Sequence, residues 1–78
     1  MLRINLINER KKMQLTQAET ANLVGIAVRQ YKNLEAGTSE GSIKVWKKLS
    51  DLFKQTIDYL LAQEVKTNLP FSQALSFI

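Results

Sequence analysis

Arg29, Lys32 and Asn33 stand three and four positions apart, a spacing that brings side chains to one face of an α-helix. Arginine forms paired hydrogen bonds with the O6 and N7 edge of guanine, and asparagine forms them with the N6 and N7 edge of adenine. A helix that presents these side chains outward is therefore suited to contact base edges. The alternative interpretation is a solvated polar face without a ligand, which is the usual situation for exposed charged residues.

The composition narrows the chemistry available to the rest of the chain. Its 78 residues include 11 Lys and Arg against 7 Asp and Glu, giving a net charge of +4, and neither His nor Cys. This excludes disulfides, thiolate nucleophiles and histidine acid–base chemistry, and leaves little basis for a zinc, haem or iron–sulfur site. We therefore expect no enzymatic activity, no metal and no cofactor. The basic balance suits a polyanionic partner, although it is also common on ordinary protein surfaces.

The elements that must position these side chains are short helices. Gly25, Gly37, Gly41 and Pro70 divide the chain into pieces of about a dozen residues that lack the alternation typical of strands. The sequence therefore predicts an all-α bundle of five helices over residues 1–64. An apolar tail over residues 65–78 follows it as a candidate sixth helix. No window approaches the ~20 apolar residues of a membrane span, and residues 1–12 do not resemble a signal peptide, so we expect a cytoplasmic protein.

Apolar residues at helical spacing predict which faces pack inward. The first helix, about residues 2–13, is expected to pack through one stripe, and the fourth and fifth helices through two others, with Ser42 and Thr56 as their N-caps. Tyr31 and Trp46 are expected in the core. The three stripes are Leu2, Leu6, Arg10 and Met13; Ile43, Trp46, Leu49 and Phe53; and Ile57, Leu60 and Leu61.

The second and third helices form the most informative unit. Thr16 and Glu19 have the spacing of a capping box at the start of the second helix, and Gly25 can end that helix in the left-handed conformation. A turn of about three residues leads to the third helix over residues 28–35. Because this turn is too tight for antiparallel packing, the pair is expected to cross steeply, as in a helix-turn-helix.

Three short segments follow one another at the spacing found in one known family: residues 15–19 (LTQAE), 24–26 (VGI) and 34–37 (LEAG). They resemble the lambda-repressor-like family, of the Cro/CI or Xre type. Residues 42–43, 48–50 and 56–61 extend the resemblance, which covers residues 10–61. It implies a compact five-helix lambda-repressor-like bundle that contains a helix-turn-helix.

The resemblance also implies a set of contacts with double-stranded DNA. The residues that match the family's recognition helix, and so are expected at base edges, are Val28, Arg29, Lys32 and Asn33. Those that match its phosphate contacts are Thr16, Gln17, Thr38, Ser39 and Lys44. Arg10 and Glu35 occupy positions that form an internal ion pair in some relatives. The chain departs from the family pattern at Thr20, where an apolar residue is usual; at Ala27, where a hydroxyl cap is usual; and at Lys54, where glycine is usual.

These implications predict a small prokaryotic or phage repressor that binds a palindromic operator as a homodimer. A second hypothesis is an antitoxin-like or anti-repressor module that docks on a protein partner through its apolar tail. Phe71, Leu75 and Ile78 are the candidate dimer or tail contacts. Steep loss of affinity with salt would distinguish DNA binding from docking through the tail, which should be nearly independent of salt.

Overall fold

Five α-helices follow one another in the computed structural model, which describes residues 1–63. They are α1 (Ile4–Lys12), α2 (Gln17–Val24), α3 (Val28–Ala36), α4 (Ile43–Phe53) and α5 (Ile57–Leu61). No strand occurs among residues 1–63, so the predicted all-α, five-helix fold is confirmed. The candidate sixth helix and its Phe71, Leu75 and Ile78 lie outside the described residues.

Side-chain caps fix where most of these helices begin. The Thr16 hydroxyl accepts from the Glu19 amide at 3.0 Å, and the Glu19 carboxylate accepts from the Thr16 amide at 2.8 Å. The predicted capping box is therefore present. Ser42 and Thr56 cap α4 and α5 through the amides of Val45 and Tyr59, as expected. Ala27, by contrast, has no side chain that can cap α3, and the first-turn amides of that helix lack the partner that a hydroxyl supplies.

The core joins apolar side chains from all five helices. Leu6 of α1, Leu34 of α3, Leu49 of α4 and Leu60 of α5 are fully buried, and α2 contributes Ala21 and Val24. Tyr31 and Trp46 also lie in this core, which confirms their predicted role. Burial of both residues fixes the inner faces of α3 and α4, so the opposite faces are turned to solvent.

Two of the predicted packing stripes are wrong at their ends. Leu2 and Met13 are 44% and 46% exposed, because α1 begins after Leu2 and ends before Met13. Ile43 is 64% exposed, and Val45 is buried instead. At 3.6 residues per turn, Ile43 points about 110° away from the centre of the face that α4 buries.

Two of the departures from the family pattern are accommodated locally. Thr20 is fully buried, and its hydroxyl donates to the Thr16 carbonyl at 3.0 Å, so the polar atom is satisfied inside the bundle. Lys54 ends α4 with φ +55°, in the left-handed region that favours glycine. In the described part of the chain, every helix is too short or too polar to cross a membrane.

Candidate nucleic-acid interface

The outer face of α3 carries the side chains predicted to contact bases. Tyr31, Leu34 and Glu35 are buried on the inner face of this helix. Val28, Arg29, Lys32 and Asn33 are all exposed on the remainder of its surface, as is Gln30. A buried face opposite a polar one holds α3 in a fixed orientation, so the exposed side chains form a defined surface. The structure thus brings the four predicted base-contacting residues together.

An ion pair between the partly buried Arg10 and the buried Glu35 connects this helix to α1. The Arg10 guanidinium donates to both oxygens of Glu35, at 2.6 and 3.3 Å, and also donates to the Leu15 carbonyl at 2.8 Å. Through its hydrogen bond the Glu35 carboxylate raises the pKa of Arg10, while burial opposes that shift. The ion pair suggested by the resemblance is therefore present. It holds the C-terminal half of α3 against the end of α1.

Gln17, predicted at a phosphate, belongs to the same network. Its side-chain amide donates to Glu35 Oε1 at 2.9 Å, and the residue is half-buried. Gln17 is the first residue of α2, so this bond fixes the start of α2 relative to α3. The adjacent Thr16 hydroxyl is engaged in the capping box. The sequence missed the bond to Glu35, although glutamine opposite a paired carboxylate is a recognisable hydrogen-bonding combination.

The hydroxyl of Tyr31 lies beside this network. Among residues 1–63 it has no hydrogen-bond partner, and the ring is fully buried. Burial raises the pKa of Tyr31 far above its usual value, and the nearby Glu35 carboxylate adds to the shift. Tyr31 therefore stays neutral in the folded protein over the whole physiological pH range.

The loop over residues 37–42 and the first turn of α4 contain the other predicted phosphate contacts. Thr38 is exposed, its amide donates to the Asn33 carbonyl at 3.1 Å and its hydroxyl donates to the same atom at 3.4 Å. The Ser39 hydroxyl accepts from the Gly41 amide at 3.3 Å. Lys44 is exposed in the first turn of α4. The loop thus continues directly from the exposed face of α3, with one exposed acid, Glu40, within it.

Two side chains that the sequence did not single out for this role hold the loop from inside. The Arg3 guanidinium donates to the carbonyls of Leu34 and Ser39, at 2.8 and 2.7 Å. The Trp46 indole donates to the Glu40 carbonyl at 2.7 Å, and the Arg3 guanidinium lies 5.2 Å from its ring centre. Burial lowers the pKa of Arg3, and the Glu40 carboxylate partly opposes that shift. No spacing rule in the sequence pointed to Arg3, because it lies off the packing stripe of the predicted first helix. In the structure it directly precedes α1.

The fold and this surface together define a class of protein. Two short helices joined by residues 25–27, the second with a buried inner face and an exposed basic and amide-bearing outer face, belong to a helix-turn-helix DNA-binding domain. A helix-turn-helix family model matches residues 6–60, which is more than half of the chain. The chain belongs to this family, of the Cro/CI, Xre type, whose members are DNA-binding regulators. No curated protein and no solved structure matches the chain individually.

Proposed function

We propose that this chain is a sequence-specific repressor that binds a palindromic operator in double-stranded DNA as a homodimer and acts in the cytoplasm. The observation that carries the proposal is the outer face of α3. Val28, Arg29, Lys32 and Asn33 are exposed there, while the same helix is held from behind by buried Tyr31 and Leu34. Side chains on a rigid helix, turned to solvent, are well placed for a major groove.

Each exposed side chain has a specific part in this proposal. Arg29 and Asn33 form paired hydrogen bonds with guanine and adenine edges, and Val28 contacts a thymine methyl group. Lys32 adds a further donor at the base edges. Contacts with phosphates set the register of α3 in the groove but carry no base preference. These come from Gln17, Thr38, Ser39 and Lys44, with the Thr16 cap supporting the first of them.

Dimerisation is part of the proposal because one α3 helix reads too little sequence. Each mismatched base pair costs about 1–3 kcal/mol, and a genome offers very many competing sites, so one helix alone discriminates poorly. Two copies related by a twofold axis would place their α3 helices in successive major grooves, about 34 Å apart. Such a dimer would repress by excluding RNA polymerase from an overlapping promoter. Phe71, Leu75 and Ile78 are the proposed contacts between the two copies.

Selection of bound sites from a random duplex library tests the proposal. We expect the wild-type protein to enrich one inverted repeat, and the Arg29→Ala, Asn33→Ala double variant to lose that preference. Each lost base contact should reduce discrimination by about 1–3 kcal/mol. Lys11→Ala is the matched control, because Lys11 is also exposed and basic but lies on α1.

Three outcomes would contradict parts of the proposal. If the folded wild-type protein enriches no sequence, it is not a sequence-specific regulator, and a protein partner for the tail becomes the hypothesis to test. If it enriches a single half-site, the homodimer is wrong. If Phe71→Ser, Leu75→Ser leaves the dimer and its DNA affinity intact, those tail residues do not form the dimer contact.

A further inference from the structure

Both ends of the described chain meet at the C-terminal end of α3. A Cβ atom placed on Gly37 would lie 1.8 Å from the Met1 carbonyl oxygen and 2.8 Å from the side-chain nitrogen of Gln63. The Gln63 amide also donates to the Gly37 carbonyl at 3.3 Å. Neither Met1 nor Gln63 falls within the residues 6–60 that match the family. Two of the three residues in this contact therefore lie outside the matched range.

Arg3 contacts both the end of α3 and the loop that follows it. The last carbonyls of any α-helix lack partners within the helix. Arg3 supplies hydrogen-bond donors to two of these carbonyls in α3. Its backbone amide donates to the Glu35 backbone carbonyl at 2.9 Å, and its guanidinium donates to the Leu34 carbonyl at 2.8 Å. The same guanidinium nitrogen reaches the Ser39 carbonyl at 2.7 Å. One side chain thus ties the end of α3 to the loop that follows it.

Trp46 completes the arrangement from α4. Its indole nitrogen fixes the Glu40 carbonyl, and its ring packs beneath the Arg3 guanidinium. Consecutive loop carbonyls, at Ser39 and Glu40, are therefore held by two side chains that contact each other. Arg3 is 5% exposed, so it is too buried to contact DNA itself.

We propose that Arg3 is a positioning residue that holds the 37–42 loop in the conformation in which Thr38 and Ser39 contact DNA phosphates, next to Lys44 in the first turn of α4. This inference rests on the proposed DNA-binding function and adds a determinant outside the family match. Phosphate contacts carry no base preference. Loss of Arg3 should therefore weaken binding to every duplex by a similar factor and leave the order of preferred bases unchanged.

Arg3→Lys is the main test variant, because lysine keeps the positive charge and much of the aliphatic stem but loses the planar fork that joins two carbonyls. Trp46 is the single tryptophan of the chain, so its indole N–H gives one unambiguous signal in hydrogen-exchange NMR without DNA. We expect this proton to exchange at least about tenfold faster in the variant, since it bonds to the loop. Backbone amides around the fully buried Leu49 should exchange as in wild type, which separates loosening of the loop from general destabilisation.

DNA binding supplies the second measurement. For Arg3→Lys we expect Kd to rise about tenfold on the selected operator and on unrelated duplex alike, with a smaller slope of log K against log salt. Arg3→Met should have a larger effect on loop exchange. Lys11→Met is the control for the positive charge that Arg3→Met removes, and it should leave the exchange rate of the Trp46 indole N–H unchanged. If Arg3→Met does not fold, Arg3→Lys still decides the question.

The two measurements separate the possible failures. If the Trp46 indole N–H of Arg3→Lys exchanges at the wild-type rate, Arg3 does not hold the loop, whatever the DNA result. Faster exchange with unchanged Kd would overturn its role in positioning phosphate contacts. Absence of duplex binding by the wild-type protein would overturn the proposed function and this positioning role with it, whereas the exchange result would still test the contact between Arg3 and the loop.

Discussion

Removing the arginine of the buried ion pair should destabilise the fold severely. In Arg10→Met, Glu35 keeps its carboxylate inside the bundle, where its side chain is only 4% exposed. Breaking a buried pair in this way costs about 3–5 kcal/mol. The hydrogen bond from Gln17 to Glu35 remains available, so we expect the lower end, about 3 kcal/mol. Domains of this size unfold with about 4–12 kcal/mol in total, and the variant should melt about 12–24 °C lower.

Urea denaturation followed by circular dichroism at 222 nm measures this cost, and a double-mutant cycle identifies its cause. Glu35→Gln should cost less than Arg10→Met, because Arg10 has a longer and more exposed side chain that can reach water. The Arg10→Met, Glu35→Gln double variant should recover at least about half of the loss, since no charge is left buried. A loss below about 1 kcal/mol for Arg10→Met, or additive effects in the cycle, would refute the role assigned to the pair.

Three further predictions use single positions with matched comparisons. Gly25 and Gly37 share a φ of +78°, but only Gly37 has backbone within 3 Å of an added Cβ, at Met1. Both alanine variants should lose about 1–2 kcal/mol of stability from left-handed strain. Gly37→Ala should lose about 1–3 kcal/mol more from the clash. Equal losses for the two variants in thermal melts would contradict the contact with Met1. Lys54→Gly should gain about 0.5–1 kcal/mol in the same assay, because glycine relieves the left-handed conformation of that residue, and an unchanged melting temperature would show that no strain is stored there. The folded state raises the pKa of Tyr31 from its ordinary 10.0, so the unfolded chain releases that proton first. The stability of the wild-type protein should therefore fall relative to that of Tyr31→Phe as the pH rises above 10.0. Parallel curves of stability against pH for the two proteins would contradict the shift.

Local sequence signals predicted the helices well because their causes are local. The Thr16–Glu19 capping box, the Ser42 and Thr56 caps and the left-handed Gly25 each depend on residues within one helical turn. The resulting helices agree with those expected from the sequence to within two residues at each end, α1 differing most. The family resemblance was confirmed over residues 6–60, and with it the all-α bundle.

Packing at the ends of helices was harder to predict. Leu2 and Met13 fit the periodicity of the first stripe, but periodicity does not show where the helix stops. Ile43 fits helical spacing in the same way, yet the face that α4 buries is centred on Val45, Trp46 and Leu49. Which of two nearby apolar positions is buried depends on the neighbouring helices, and these are distant in sequence.

The sequence by itself determined the helix pair, its caps and the chemical types on the outer face of α3, because helical periodicity places Arg29, Lys32 and Asn33 together. Only the tertiary structure decided what holds that helix and its loop. Gln17 meets Glu35 across two helices, and Arg3 reaches Ser39 across thirty-six residues. Such bonds depend on how the helices pack. A guanidinium or amide can donate to any carbonyl or carboxylate, and only the packing of the helices brings one particular acceptor within hydrogen-bond distance.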